Sequence, residues 1–434
     1  MNLLYSNDQK GAYPPSWYAA TATSFPAQPP LKGDERTDVC VIGAGYTGLS
    51  AALHLAEAGL RVTVLEAHRV GFGASGRNGG QLGSGQRQDQ KVLEQMMGTQ
   101  TARQLWAMGE DAKDLVRSLI ARFEIDCDLK PGIAWTGFDA SEMEDLHRYS
   151  AHMQQHYGYD QISALDAEGF HTLCPSPRYH GGVLDRGAAH LHPLNFALGL
   201  ARAAQGLGAR LYEQTEVREI TEGPRPIVHT AQGNVTCDHV VLACNGYVGG
   251  LSQQVAARVM PINNFIAATE PLGEAASQVL AQDVAVCDSK FVVNYFRLSR
   301  DKRLLFGGGE SYGYRFPKDI AAKVRKPMVE IYPHLKDIRI DYAWGGTLGI
   351  TMKRLPHVAR LSANILSSSG YSGHGLGTAT HCGQLMAKAI QGQAEGFDTM
   401  AALPTPRFPG GPGLRSPLLV LAMSWFALRD RLGI

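Results

Sequence analysis

The stretch from Thr37 to Glu66, TDVCVIGAGYTGLSAALHLAEAGLRVTVLE, restricts this chain to a small set of folds. It opens on Val39-Cys40-Val41-Ile42, an apolar run of the length and residue types of a strand buried on both faces. Gly43, Gly45 and Gly48 follow as G-x-G-x-x-G. From Tyr46 onward Leu49, Ala52, Leu53, Leu55 and Ala56 recur at helical spacing, and Gly59 ends the helix. Arg61 to Leu65 reads as a second strand, closed by Glu66. A β-α-β unit with an acid about 20 positions beyond the glycines is what a dinucleotide site requires. Gly43 makes the tight turn, Gly45 admits a pyrophosphate and Gly48 lets helix and strand pack. The helix N-terminus offers N–H groups and a positive dipole end to the phosphates. Glu66 is placed to accept from ribose hydroxyls, which argues against a 2′-phosphorylated cofactor. The motif alone leaves NAD and FAD both open.

At 434 residues the chain suits two domains with a sizeable core. A formal net charge of +1 gives no broad electrostatic footprint for nucleic acid. Seven scattered cysteines with no C-x-x-C pair fit a reducing compartment and no structural zinc, and MNLLYSNDQK is no secretory signal, so a cytoplasmic protein is expected. Pro417 to Leu428, the longest late apolar run, is too short to span a bilayer and reads as a packed C-terminal helix. The 49 glycines cluster at 71–85, 307–309, 345–346 and 370–377, as expected of several loops wrapped around one extended ligand.

Residues 1–36, with Pro14-Pro15 and Pro29-Pro30, read as an irregular arm on the surface, with Ser16-Trp17-Tyr18 as packed aromatics. After Glu66, Val70 to Gln81 carries too many glycines for a plain helix start. Its place at the acidic strand end suits a loop around the rest of a long dinucleotide, with Arg77 and Asn78 as donors. Gln90 to Phe123 reads as long amphipathic helices without chemistry. His147, His152 and His156 read as solvated residues of a helix over 141–157. His190 and His192 have no third ligand nearby and read as strand-end residues, not a metal pair. Asp238 to Tyr247 is a buried strand that ends at Asn245-Gly246, a second strand end of a doubly wound sheet. Met260 to Glu270, Phe291 to Leu298 and Arg303 to Phe306 alternate as strands of a second, mixed or antiparallel domain. Ile338 to Trp344 reads as a strand delivering Gly345-Gly346-Thr347. Asn364 to Ser369 is a strand leading to Gly370-Tyr371-Ser372-Gly373-His374-Gly375-Leu376-Gly377 and a helix over 378–391. This second glycine loop at a helix N-terminus can stabilise a negative charge. A reduced flavin carries one on its pyrimidine edge and a nicotinamide does not, which favours FAD.

The set resembles the FAD-dependent D-amino-acid oxidase-like superfamily, and within it the gamma-glutamylputrescine oxidases. The resemblance covers Asp38 to Gln81 with GFGASGRNGGQ, and His190-Leu191-His192-Pro193-Leu194-Asn195. It continues through Tyr295-Phe296-Arg297-Leu298, Arg303 to Gly309, Gly370 to Gly375 and the closing SWFALRDRLGI. It implies an α/β chain: a Rossmann-like FAD-binding domain of glutathione-reductase type, and an α+β substrate domain on a mostly antiparallel sheet. The FAD domain is expected over 37–95, 160–250 and 345–400, the substrate domain over 96–159 and 251–344, and a C-terminal extension over 401–434. Non-covalent FAD is implied, because the His and Cys to which some relatives attach it are missing from the segments matching Ser75-Gly76-Arg77 and Gly345-Gly346. For the adenosine and pyrophosphate the resemblance implies Gly43, Gly45, Gly48, Glu66, Ser75, Arg77, Asn78 and, at the adenine, Val217; for the flavin it implies Gly373, His374, Gly375 and Leu376. Tyr46, Thr47, Ala67, Ala74, Gly79, Gly80, Gln81, Asn245, Gly246, Gly346 and Gly377 are further expected cofactor-binding residues.

The implied activity is amine oxidation of the kind used in polyamine breakdown. A C–N bond of a gamma-glutamylputrescine-like amine is oxidised to imine and aldehyde with hydride transfer to flavin, and oxygen or another acceptor takes the electrons, with hydrogen peroxide as the oxygen product. His374, Tyr295 and Trp344 are the candidate catalytic and pocket residues, and Arg87 a candidate partner for a distal carboxylate. Sarcosine-oxidase-like relatives hold the substrate carboxylate with a Lys where this chain has Gly377, which disfavours a small alpha-amino acid. The competing readings are an oxidase or dehydrogenase of a secondary or cyclic amino acid such as sarcosine or pipecolate, a non-catalytic flavoprotein subunit, and an NAD-dependent dehydrogenase.

Overall fold

A computed structural model of the chain describes residues 2–290, 292–311 and 313–410. The helix expected over 417–428, most of the 401–434 extension and the SWFALRDRLGI segment lie outside the described residues.

The β-α-β unit forms as its periodicity predicts: strand Val39–Ile42, helix Tyr46–Glu57 and strand Val62–Leu65, both strands buried throughout. They sit inside a six-stranded sheet ordered His357–Ser362, Ile365–Ser369, His239–Leu242, Val39–Ile42, Val62–Leu65, Arg210–Tyr212. All neighbours are parallel except the antiparallel edge pair 357–362 and 365–369. The chain crosses away from Val39–Ile42 in opposite directions, so a crevice opens where its carboxyl end meets that of His239–Leu242. Helix Gly375–Ile390 lies against Tyr46–Glu57, and the two backbones nearly touch: a Cβ at Gly383 would lie 2.3 Å from Thr47 O. Val41, Leu49, Leu53, Val64, Leu366 and Met386 fill the core between these helices and the sheet.

A nine-stranded sheet forms the second domain, its main path running Ile340–Ile350, Met260–Thr269, Leu304–Ser311, Tyr295–Leu298, Ala285–Asp288, Lys130–Thr136, Gly182–His190, Gln81–Leu82. The pair 285–288 and 130–136 is parallel and the other neighbours are antiparallel. Helix Ile320–Ile331 covers one face, burying Val324, Met328 and Ile331 against Phe265, Phe296 and Phe306.

Sheet membership differs from the expected segment boundaries. Strands Ile162–Leu165 and Gly182–His190, assigned to the cofactor domain, pair in the nine-stranded sheet. So do residues 345–350: the strand expected to stop at Trp344 runs through both glycines to Ile350. Helix Thr99–Arg122, assigned to the substrate domain, puts Leu105, Val116 and Leu119 into the cofactor-domain core. Strand pairing is a non-local choice, and local pattern does not say which sheet a buried strand joins.

The arm is also more than a surface segment. Ser16 caps a short helix, Trp17–Thr21, by accepting from Ala19 N at 3.0 Å. Trp17 and Tyr18 are buried, with Tyr18 edge-on to Trp344 at 5.2 Å between ring centroids. The aromatics thus pack as expected of them, and the feature that the proline-rich pattern did not announce is the short capped helix that carries them.

Candidate active site

One elongated cleft runs from the carboxyl ends of the parallel strands to the Gly373–Leu376 loop and encloses about 2210 Å³ of space free of protein atoms, part of it open to solvent. Gly43, Gly45, Tyr46, Thr47, Glu66, Ala67, Ala74, Ser75, Arg77, Asn78, Gly79, Gln81, Val217, Asn245, Tyr295, Gly346, Gly373, His374, Gly375 and Leu376 all face it. Segments more than 300 residues apart in sequence thus converge on one space.

Five expected residues sit behind the wall instead. A Cβ at Gly48 would lie 1.9 Å from Gly43 O, so this glycine permits the turn to close on the helix. Gly80 similarly backs onto Leu191 O and Gly246 onto Leu348 O. Gly377 lies in the first turn of its helix with Leu82 and Ala112 against it, so a side chain there would meet the packed helix 99–122. Trp344 is 1% exposed and donates its indole N–H to Arg77 O at 3.0 Å. It is a core aromatic supporting the loop, not a wall of the cleft, because its strand turns that side chain toward Tyr18.

The glycine-rich loop after Glu66 is held from several sides. Arg77 donates Nε to Phe72 O at 2.7 Å and Nη1 to Gly345 O at 3.0 Å, and it pairs with Asp8. Its Nη2 is buried with no partner among the described residues. Asn78 donates to Ala74 O at 3.0 Å and accepts from Gly80 N at 2.8 Å. Buried Arg297 donates to Gly79 O at 3.0 Å and Leu191 O at 2.8 Å. Ser75 Oγ accepts from Tyr46 N at 3.0 Å, occupying one of the helix N–H groups that the sequence left free.

Glu66 ends its strand with both carboxylate oxygens on backbone donors, Ala44 N and His68 N, each at 2.9 Å. Burial nevertheless pushes its carboxyl up to about 7, because desolvation outweighs the two N–H groups. At the other end, His374 is the N-cap of helix Gly375–Ile390 and makes no side-chain cap bond, so the helix presents uncapped N–H groups to the cleft. The His374 ring packs on the Gly83–Gly85 turn and donates Nε2–H to Gly85 O at 3.1 Å. Burial first, then the Arg87 charge, push its pKa down to about 4, so the ring is neutral at pH 7. Tyr295 donates to Asn264 Oδ1 and lies flat between Gly79 and Gly307, where any Cβ would strike its ring.

The cleft has walls that the sequence did not reveal: Leu4 from the arm, Ile133 and Trp135 from strand 130–136, Cys287, Val293 and Arg354. Ile133 and Trp135 sit on a strand read only as a strand; no local signal says which face meets a ligand. His190 ends its strand, as expected, whereas His192 lies past it as the N-cap of helix Pro193–Gly206, its neutral Nδ1 accepting from Asn195 N at 3.1 Å. Of the three helix histidines His156 is exposed, as expected, whereas His147 contacts the carbonyls of Leu165 and Gly182 and His152 lies 2.9 Å from Glu94.

The model of a family described as FAD dependent oxidoreductase matches residues 38–389. The chain belongs to this family. It is 42% identical to the gamma-glutamylputrescine oxidoreductase of Escherichia coli (strain K12), over 96% of this chain and 99% of the other. It is 43% identical to a protein of Rhizobium meliloti (strain 1021) named "Probable oxidoreductase OrdL", over 96% and 97%. Among solved structures, glycine oxidase from Geobacillus kaustophilus superposes with a TM-score of 0.71 at 22% identity, covering 87% of this chain and all of that one. That likeness establishes the shared fold.

The chain is thus an FAD-dependent oxidoreductase of the amine and amino acid type. The cleft fits the cofactor on its own geometry. Its lining, from Glu66 and Val217 to the Gly373–Leu376 loop, suits an extended dinucleotide. The unpartnered Arg77 Nη2 and two helix N-termini without side-chain caps offer donors to anionic groups. Among the described residues no cluster of His, Cys, Asp and Glu is arranged to hold a metal, and no helix is long and apolar enough to cross a membrane.

Proposed function

We propose that this chain oxidises a C–N bond of an amine of the gamma-glutamylputrescine type, releasing an imine that water converts to an aldehyde. The observation that carries this reading is the 42% identity, nearly end to end, with the Escherichia coli gamma-glutamylputrescine oxidoreductase. Glu66 and Val217 would hold the adenosine; Gly45, Tyr46, Thr47, Ser75, Arg77 and Asn78 the pyrophosphate; and Gly373 to Leu376 the flavin. FAD, when bound, supplies the acceptor for the hydride leaving the carbon beside the substrate nitrogen.

The protein's own share is positioning, exclusion of water and control of charge. Ile133, Trp135, Val293 and Tyr295 form an apolar wall beside the Gly373 loop. Neutral His374, with Nε2–H committed to Gly85 O, brings no positive charge to the amine. Tyr295 is fixed by Asn264 and serves as a rigid surface. None of these groups is a strong base, which suits loss of hydride from an already neutral amine better than proton abstraction.

We also infer that FAD is held without a covalent bond. Cys244 and Cys287 face the cleft, but burial pushes each thiol up to about 12, far from the thiolate that attack on a flavin needs. Precipitation in acid should release all the flavin into the supernatant. Peroxide release and oxygen uptake, measured with gamma-glutamylputrescine, putrescine, sarcosine and pipecolate, test the substrate. Turnover of gamma-glutamylputrescine well above the two amino acids is expected. Turnover of an amino acid with none of either amine overturns the proposal.

A further inference from the structure

The N-terminal arm crosses the Glu66 end of the cleft before it reaches its packed aromatics. Leu3–Tyr5 form one 3-10 turn, with the Asn2 side chain accepting from Leu4 N at 3.0 Å. That turn puts Leu4 on the cleft wall together with Glu66, Thr215, Glu216 and Val217. Leu4 is half-buried, and it belongs to a stretch that precedes residue 38, where the family match begins.

Residues of the cofactor loops hold this turn down. Glu216 uses both carboxylate oxygens on the arm, accepting from Asn2 Nδ2 at 2.9 Å and from Tyr5 OH at 2.8 Å. His68 uses both ring nitrogens. Its Nδ1 accepts from Gly11 N at 3.2 Å, which leaves the proton on Nε2 to be donated to Leu4 O at 2.7 Å. The same His68 donates its backbone N–H to Glu66 at 2.9 Å and stacks its ring 3.8 Å from that of Phe72, another cleft residue. Arg77 adds the pair with Asp8. A single 3-10 turn has too few internal bonds to persist alone, so its order comes from these attachments. Arm and cofactor loops thus form one cooperative unit.

We propose that residues 2–11 are a clasp over the adenosine of FAD: Leu4 is an apolar wall of the adenosine subsite, and the turn that carries it lifts for the cofactor to enter or leave. A purine presents flat apolar faces, and Leu4 and Val217 are side chains suited to cover them. Glu216 neighbours Val217 in the chain and His68 bonds Glu66, so the clasp is tied to both residues that would hold the adenosine. Coupling of this kind is reciprocal: bound adenosine holds the arm down, and a loosened arm weakens adenosine binding. The clasp presupposes the adenosine at Glu66 and Val217, as proposed above, and holds whichever amine is oxidised.

ADP, which carries the adenosine and the pyrophosphate of FAD, is the probe, titrated calorimetrically into the apoprotein. Leu4→Ala should weaken ADP and FAD alike, by about 5- to 30-fold, and should not change the affinity for FMN, which lacks the adenosine. Unchanged ADP affinity, or an FMN loss equal to that of ADP, overturns the clasp. Tyr5→Phe removes one arm bond to Glu216 and should speed FAD release from the diluted holoenzyme by about 10-fold, read as the rise in flavin fluorescence. Lys10 is exposed, so trypsin can remove the first ten residues of the apoprotein. ADP should slow that cut several-fold and FMN should not; the same rate with and without ADP overturns the proposal. Glu66→Gln separates the clasp from the placement of the adenosine. If it leaves ADP affinity at the wild-type value, the placement falls and the clasp with it. If it weakens ADP while Leu4→Ala does not, the clasp alone falls.

Discussion

Arg77 Nη1 lies 3.0 Å from Asp8 Oδ2, with the arginine side chain 1% exposed and the aspartate 12%. One buried guanidinium thereby joins the N-terminal arm, the glycine-rich loop and, through Gly345 O, a strand of the second sheet. This wall of the cleft is held from across the whole chain.

Removing the acid should therefore loosen the cofactor site. Asp8→Ala leaves the Arg77 charge buried and unpaired, at a cost of about 3 kcal/mol. Urea unfolding of the holoenzyme should show that loss, and the variant should shed FAD on dilution. Arg77→Lys, which cannot reach Asp8, Phe72 O and Gly345 O together, should behave similarly.

Glu66 makes cofactor affinity depend on pH. Its carboxyl is raised from 4.5 to about 7 by burial, so in the apoprotein it holds a proton that the unfolded chain has lost. Any stability from that extra proton is present below pH 4.5 and is lost as pH rises through about 7. Ribose hydroxyls donate better to the carboxylate than to the acid. FAD affinity of the apoprotein, followed by flavin fluorescence, should rise as pH passes through about 7 and then level off. Glu66→Gln should flatten the curve and weaken binding throughout.

Lys113 sits in the helix that reads as chemically silent, yet it is 2% exposed at the centre of a polar cluster. Its Nζ lies 2.7 Å from Ser84 Oγ, 2.9 Å from Glu110 Oε1 and 3.1 Å from Tyr159 OH. Asp185 in turn accepts from Ser84 and Tyr159. Lys113→Met strands the acids and should cost about 3–5 kcal/mol by chemical denaturation. Ser84→Ala should cost about 1–3 kcal/mol. Ser84 belongs to the turn between His374 and Arg87, both on the cleft wall, so both variants should also raise KM for gamma-glutamylputrescine.

Acid should destabilise the fold through its buried histidines. Desolvation lowers His190 and His192 to about 3, and His357, His374 and His381 to about 4, from 6.5. Between about 4 and 6.5 the unfolded chain binds protons that the folded chain refuses, so stability rises with pH in that window and is lost as pH falls through it. The urea midpoint should drop from pH 7 to pH 5 with an unchanged slope. His192→Asn keeps an acceptor at the helix start and should reduce the pH dependence.

The β-α-β unit was legible because all its signals lie within one short stretch: a buried strand, three glycines, a helical period, an acid. The Gly370 loop was legible for the same reason. Asp8 was not, because its meaning comes from Arg77, 69 positions away in sequence. Lys113 looked like an ordinary amphipathic-helix cation, since burial of one charge does not disturb a helical period. Trp344 was misplaced because a strand fixes alternation but not which face meets the ligand. Gly377 entered through likeness to relatives, whereas its surroundings show a packing position.

The central claim is that this chain oxidises an amine with bound FAD. Anaerobic mixing of the purified yellow holoenzyme with gamma-glutamylputrescine, followed at the visible flavin band, tests it most directly. The account predicts bleaching at a rate that saturates with substrate, and recovery of the colour when oxygen or another electron acceptor is admitted. A flavin that stays oxidised with gamma-glutamylputrescine and putrescine, yet bleaches with sarcosine or pipecolate, would contradict it.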